Sequence, residues 1–161
     1  MSAPEPVRVL FVCMGNICRS PTAEGVLRAL AAREMPGLAI EVDSAGTHGY
    51  HVGSPPDRRA QAAARRRGID LSALRARELV PADFLRFDHV LVMDATNLAD
   101  ASRLVPAAAR ALPRRFLDFA PGTAERDVPD PYYGGPGDFE RVLDLAEAAS
   151  RGFLRALQSG R

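Results

Sequence analysis

The 161 residues contain no lysine, no tryptophan and only two cysteines, Cys13 and Cys18. All 21 basic side chains are therefore arginine, set against 20 acidic ones for a net charge of +1. That balance excludes a global electrostatic grip on DNA, RNA or an anionic membrane, so any anion must be held locally. Two cysteines are too few for a secreted disulfide scaffold. Long hydrophobic runs are missing as well. The segment Val7–Val12 includes Arg8 and is too short for a membrane span or a signal-peptide core. The lack of lysine beside abundant alanine and proline suggests GC-rich coding rather than a function, and it is unlike the Lys and Glu enrichment of hyperthermophiles. Together these absences predict a soluble cytoplasmic protein.

What is present reads as globular. Hydrophobic residues make up 47% and charged residues 25% of the chain, close to ordinary values. The length predicts one domain over residues 1–161, burying about 70% of the surface its unfolded chain would expose. Val7–Val12 reads as a buried strand, apolar on both faces after Arg8. Ser20 and Pro21 read as N-cap and first residue of a helix whose face is Ala23, Val26, Leu27, Leu30 and Ala31. Ala39–Asp43 is a second short strand, and Pro55 or Pro56 opens a helix that runs to about Arg67 with Gly68 as its stop. His89–Met93 is a third strand, with Thr96 able to cap the helix after it, and Arg115–Asp118 a weaker fourth. Residues 120–137 are rich in proline and glycine and read as loop. Asp138 then starts a last helix that buries Phe139, Val142, Leu143, Ala146, Phe153 and Leu157. Strands alternating with helices predict an α/β fold: a four-stranded parallel sheet with helices on both faces.

One loop carries the chemistry. Cys13-Met14-Gly15-Asn16-Ile17-Cys18-Arg19-Ser20-Pro21 leaves the C-terminal end of the first strand and enters the first helix, the edge where open α/β sheets bind ligands. Such a loop turns backbone N–H groups inward and adds the positive end of a helix dipole, which makes an anion cradle. A cysteine at the mouth of that cradle is favoured as thiolate. Arg19 adds a fork that fits two phosphate oxygens, and Ser20 can donate its hydroxyl to the sulfur. The Gly-Lys-Ser/Thr ending of a nucleotide-binding loop is missing. Each residue also has a plainer reading: a cysteine closing a strand can be a small core residue, and Asp130 before Pro131 can be a turn carboxylate.

The sequence resembles the low-molecular-weight protein tyrosine phosphatase family along almost its whole length. The likeness rests on Val12–Pro21 and Asp43-Ser44-Ala45-Gly46-Thr47. It is extended by His51-Val52-Gly53, Pro55-Pro56-Asp57, Val92-Met93-Asp94 and Asp130-Pro131-Tyr132-Tyr133-Gly134. The resemblance implies Cys13 as a nucleophile that forms a phosphocysteine, Arg19 as phosphate ligand, and Asp130 as general acid and then base. It implies a phosphate-binding loop of Met14, Gly15, Asn16, Ile17, Cys18 and Ser20, braced by Ser44, with Cys18 able to trap an oxidised Cys13. Tyr50, Tyr132 and Tyr133 would wall the cleft. No cofactor and no metal are implied. The partners would be phosphotyrosine proteins, for bacterial relatives often a tyrosine kinase, with inorganic phosphate as product and competitive inhibitor. Asp94 reads first as the cap of the following helix, His48 and His51 as turn residues near the cleft, and His89 as a strand edge.

One departure stands out. Many bacterial relatives carry a histidine that reaches toward the loop asparagine, and Leu74 occupies that place here, so the loop must be braced differently. An arsenate reductase on this fold needs further cysteines, and none follows Cys18. A protein arginine phosphatase shares the catalytic groups but carries threonine after the loop asparagine, where this chain has Ile17, a better partner for an aromatic ring. A redox switch of Cys13 and Cys18 alone would leave Arg19 and Asp130 unexplained.

Overall fold

A computed structural model describes residues 5–160. Four parallel strands, β1 (Val7–Cys13), β2 (Ile40–Gly46), β3 (His89–Val92) and β4 (Pro113–Arg115), form one sheet in the order β2-β1-β3-β4. Because β1 is interior, it must be apolar on both faces, and its side chains divide by alternation. Val9, Phe11 and Cys13 face the core under helices α1 (Arg19–Glu34) and α5 (Pro136–Gln158), where Phe11 meets Phe116 edge-to-face at 4.8 Å. Leu10 and Val12 face the second core with Phe84, Phe87, Val90 and Val92, beside α3 (Asp83–Arg86) and α4 (Ala95–Ser102). The parallel sheet with helices on both faces is as the sequence predicts.

Local boundaries depart from expectation in instructive ways. Helix α1 begins at Arg19 after Cys18 and has no side-chain cap. Ser20 is not its N-cap, because its hydroxyl is turned to Cys13 and Asn16 instead. Strand β2 runs on to Gly46, pairing all the way to Cys13. Helix α2 (Arg58–Arg65) starts after Asp57, whose carboxylate accepts the Arg59 N–H at 2.8 Å, and not at either proline. Gly68 sits at φ +79°, the left-handed stop anticipated for it. Helix α4 is capped by Asp94 and not by Thr96. β4 precedes its predicted span, because Phe116–Phe119 coils into a 3-10 turn that drives Phe116 into the core. Helix α5 opens at Pro136, and Asp138 is its third residue, accepting the Gly135 N–H at 2.8 Å. Of its predicted buried face only Leu157 is partly exposed. The short α3 was not foreseen; the Asp83 carboxylate holds its start by accepting the Val80 N–H at 2.9 Å.

Candidate active site

The C-terminal ends of β1, β2 and β3 meet at one edge of the sheet, and the loop after β1 lies across it. Cys13 ends its strand buried, with its sulfur 3.0 Å from Ser20 Oγ and 3.3 Å from the Asn16 N–H that donates to it. The backbone N–H groups of Met14, Gly15, Ile17 and Cys18 have no protein acceptor among the described residues. This is the arrangement that binds an anion. The end of β2 runs close beneath the loop: Thr47 and His48 donate to the carbonyls of Cys13 and Met14 at 2.9 and 3.0 Å. A Cβ on Gly46 would lie 2.7 Å from Met14 O, so glycine is required there by space.

The loop is held in a costly shape. Asn16 sits at φ 58°, unusual for a residue with a side chain, and its amide supplies the constraint. Asn16 Nδ2 donates to Ser20 Oγ at 2.8 Å and to Ser44 Oγ at 2.9 Å, while Oδ1 accepts the Arg77 N–H at 3.0 Å. Ser44 in turn donates to Glu24 Oε1 at 2.7 Å. Burial raises the Glu24 carboxyl above the usual range, opposed by the hydrogen bonds from Ser44 and Arg28. Because Ser20 Oγ accepts from Asn16, its own hydrogen is free to point at the Cys13 sulfur. Leu74, the departure noted in the sequence, is half-buried against the apolar core, and the Arg77 backbone amide braces Asn16.

Arg19, at the start of α1, is 3% exposed. Its Nη1 donates to Asp94 Oδ2 at 2.6 Å and to the Val128 carbonyl at 3.1 Å, and Nη2 lies 3.7 Å from Asp130 Oδ2. Burial works against its charge, but Cys13, Asp94 and Asp130 more than offset that and raise its pKa further. Asp94 thus serves twice, with Oδ1 capping α4 through the Asn97 N–H at 2.7 Å. Cys18 is buried, and its thiol is pushed up to about 12 by that burial and by the nearby charges of Asp57, Cys13 and Asp130.

A cleft of about 300 Å³ opens over Cys13 and Arg19, lined by Met14, Gly15, Ile17 and Cys18 on the loop side. Tyr50, His51, Asp130, Tyr132 and Tyr133 complete its lining. The three tyrosines differ: Tyr132 is 38% exposed and forms a wall, whereas Tyr50 at 74% and Tyr133 at 96% are rim. Tyr50 is stacked on His48 at 5.2 Å, and His51 is a half-buried turn residue on the cleft wall. His89 opens β3 away from the site, edge-on to Phe153. Every residue singled out from the sequence for catalysis or the loop is therefore at this edge. Glu24, Arg77 and the Arg19–Asp94 link were missed. Glu24 had a signal, since it follows Ser20 by four residues and shares its helix face. Asp94 closed a quoted motif and was read as a cap, but its reach to Arg19 across 75 positions had no signal, nor had the Arg77 amide, 61 positions from Asn16.

Comparison with known proteins gives one answer. The family model described as low molecular weight phosphotyrosine protein phosphatase matches residues 8–161. A low molecular weight protein-tyrosine-phosphatase of Streptomyces coelicolor is 44% identical over 154 residues, 94% of this chain and 93% of the relative. The crystal structure of YfkJ from Bacillus subtilis is 37% identical with a TM-score of 0.90, covering 99% of both chains. That of a Drosophila arginine phosphatase is 29% identical with a TM-score of 0.86, covering 95% of this chain and 99% of the other. A protein built on this loop and matched along this length belongs to the low molecular weight phosphotyrosine protein phosphatase family.

Proposed function

We propose that this family member, a protein-tyrosine-phosphatase, hydrolyses phosphotyrosine in proteins through a phosphocysteine intermediate on Cys13. The reading rests on one observation: a cysteine sulfur at the base of an arc of unpaired amides, with Arg19 beside it and Asp130 across the cleft. The amides and Arg19 hold the phosphoryl oxygens and stabilise the charge that spreads over them in transfer. Ser20 Oγ and the Asn16 N–H both lie within hydrogen-bond reach of the Cys13 sulfur and hold it at the base of the cradle. The sulfur attacks phosphorus, the P–O bond to tyrosine breaks, and Asp130 gives its proton to the departing phenolate oxygen. Asp130, now a carboxylate, takes a proton from water. That water cleaves the S–P bond, releases inorganic phosphate and returns the thiolate. Free phosphate fits the same cradle and acts as a competitive inhibitor. The chemistry needs a reduced Cys13, which suits the cytoplasm. For a bacterial chain a tyrosine kinase is a suitable protein substrate.

Phosphoarginine is the rival substrate, since one structural neighbour is an arginine phosphatase. Ile17 lines the cleft and favours the aromatic ring, because its branched apolar side chain offers a guanidinium no acceptor. A peptide panel with phosphotyrosine and phosphoarginine, run with a chelator present, tests the assignment. The parent should prefer phosphotyrosine, and Ile17→Thr should move the ratio of kcat/KM toward phosphoarginine. A parent that prefers phosphoarginine would make the phosphotyrosine assignment wrong.

Oxidation gives a separate test of Cys18. Peroxide converts the Cys13 thiolate to a sulfenic acid; attack by Cys18 sulfur then expels hydroxide, which leaves as water, and forms a disulfide that a thiol reductant reopens. With the Cys18 thiol at about 12, only a small thiolate fraction exists at neutral pH. Trapping should accelerate about tenfold per pH unit above neutrality, and protection from irreversible loss should improve with it. Cys18→Ser should keep turnover but recover poorly after peroxide at every pH. Equal recovery of variant and parent would deny Cys18 a protective role.

A further inference from the structure

The segment that carries Asp130 is packed to the fold at Pro131, which is buried, but has few hydrogen bonds to the rest of it. Upstream, the Val128 N–H donates to Met93 O at 2.7 Å and its carbonyl accepts from Arg19. Downstream, α5 begins at Pro136. Over residues 129–134 most bonding is internal, from the Tyr132 N–H to Asp130 Oδ1 at 3.1 Å and from the Gly134 N–H to Pro131 O at 2.9 Å. Besides the 3.7 Å approach of Asp130 to Arg19, one hydrogen bond reaches this segment from elsewhere among the described residues. Arg59 Nη2 donates to the Tyr132 carbonyl at 2.9 Å.

Arg59 is itself tightly held. Its Nε and Nη2 donate to the two carboxylate oxygens of Asp57 at 3.0 and 2.9 Å, a fork only arginine can make. Its guanidinium lies 4.7 Å from the ring centre of Phe139 and 5.5 Å from that of Tyr132. Asp57 in turn caps α2 and donates its own N–H to Ile17 O at 2.8 Å. A continuous path thus runs from the phosphate loop through Asp57 and Arg59 to Tyr132 and Asp130. The Arg59–Asp57 pair is half-open to water on the arginine side, while the Asp57 side chain is 13% exposed. What distinguishes it is the third contact, to the backbone of a segment 73 residues away.

We propose that Arg59 is a positioning residue that sets the distance between the phosphate loop and the Asp130 carboxylate, without touching the substrate. The proposal rests on the reading of Asp130 as the acid. An acid displaced by a fraction of an ångström still leaves the nucleophile and the cradle intact. Its loss should therefore be felt only where the leaving group needs a proton.

The test is single-turnover phosphorylation of Cys13 with phenyl phosphate, a poor leaving group, and para-nitrophenyl phosphate, a good one. Arg59→Met keeps the stem against Phe139 and removes every donor. Arg59→Lys restores the charge and one nitrogen on a shorter side chain, without the planar fork that grips both Asp57 oxygens. Arg59→Met should lose on the order of 10-fold with phenyl phosphate and at most about 2-fold with para-nitrophenyl phosphate, with Arg59→Lys between it and the parent. Added to Asp130→Ala, Arg59→Met should cost phenyl phosphate no more than it costs para-nitrophenyl phosphate. The ratio of the two substrates on one preparation does not depend on how much of that preparation is folded. Equal losses for both substrates, or none, would overturn the positioning role while a leaving-group effect in Asp130→Ala kept the acid reading. Absence of that effect in Asp130→Ala itself would remove both.

Discussion

The Cys13→Ser protein is expected to bind inorganic phosphate and to turn over no phosphate ester. The substitution replaces one atom at the end of β1 and leaves the rest of the cradle in place. Arg19 remains clamped by Asp94 and the Val128 carbonyl, and the loop amides keep their direction because Asn16 is still held by Ser44 and Arg77. Affinity should therefore survive, measured by calorimetric titration with phosphate. What disappears is the thiolate. A serine hydroxyl remains protonated in the same hydrogen bonds and is a far weaker nucleophile. Residual hydrolysis above a few per cent of the parent rate would exclude Cys13 as nucleophile, and lost phosphate binding would show the thiolate to be part of the cradle.

The second large effect is expected from Asp130→Ala, and its size should depend on the substrate. A tyrosine phenolate has a conjugate acid near pKa 10, so at neutral pH its departure needs a proton. Removing the acid should slow phosphorylation of Cys13 by on the order of 100-fold to 10,000-fold with phenyl phosphate or phosphotyrosine. Para-nitrophenolate is stable as the anion, and the penalty should be much smaller. Hydrolysis of the phosphocysteine should slow as well, since the same carboxylate is to activate water, so single-turnover measurements are needed to isolate the first step. Equal losses for good and poor leaving groups would take the acid role from Asp130. Asp94 would be a poor replacement, because both its oxygens are engaged, by Arg19 and by the Asn97 N–H.

The parts of this molecule that were legible in its sequence are those fixed by short-range physics. An interior strand must be apolar on both faces, and Val9–Val12 are fully buried. A loop between strand and helix, with cysteine first and arginine last, is spaced for one anion, and its residues stay together wherever the rest of the chain goes. Errors arose where a residue had two possible partners. Ser20 before Pro21 has the form of a helix cap, yet the Cys13 sulfur and the Asn16 amide take its hydroxyl. Phe116 has the form of a strand residue, but the pocket beside Phe11 draws it off the sheet. The brace from Arg77 to Asn16 was out of reach for another reason. It is a backbone N–H, that of Arg77, and a backbone amide carries no sequence signature.

The sheet's parallel order also decides how this protein can be joined to others. All four strands point the same way, so the cleft occupies their C-terminal edge, and Val7 enters at the opposite one. Helix α5 carries the chain back to that opposite edge, where Ser159 shares a groove with His89, the first residue of β3. The described chain thus enters at Val7 and leaves at Ser159 on the side facing away from Cys13. A tether or fused partner at either end leaves the mouth of the cleft open to a substrate as bulky as a folded protein.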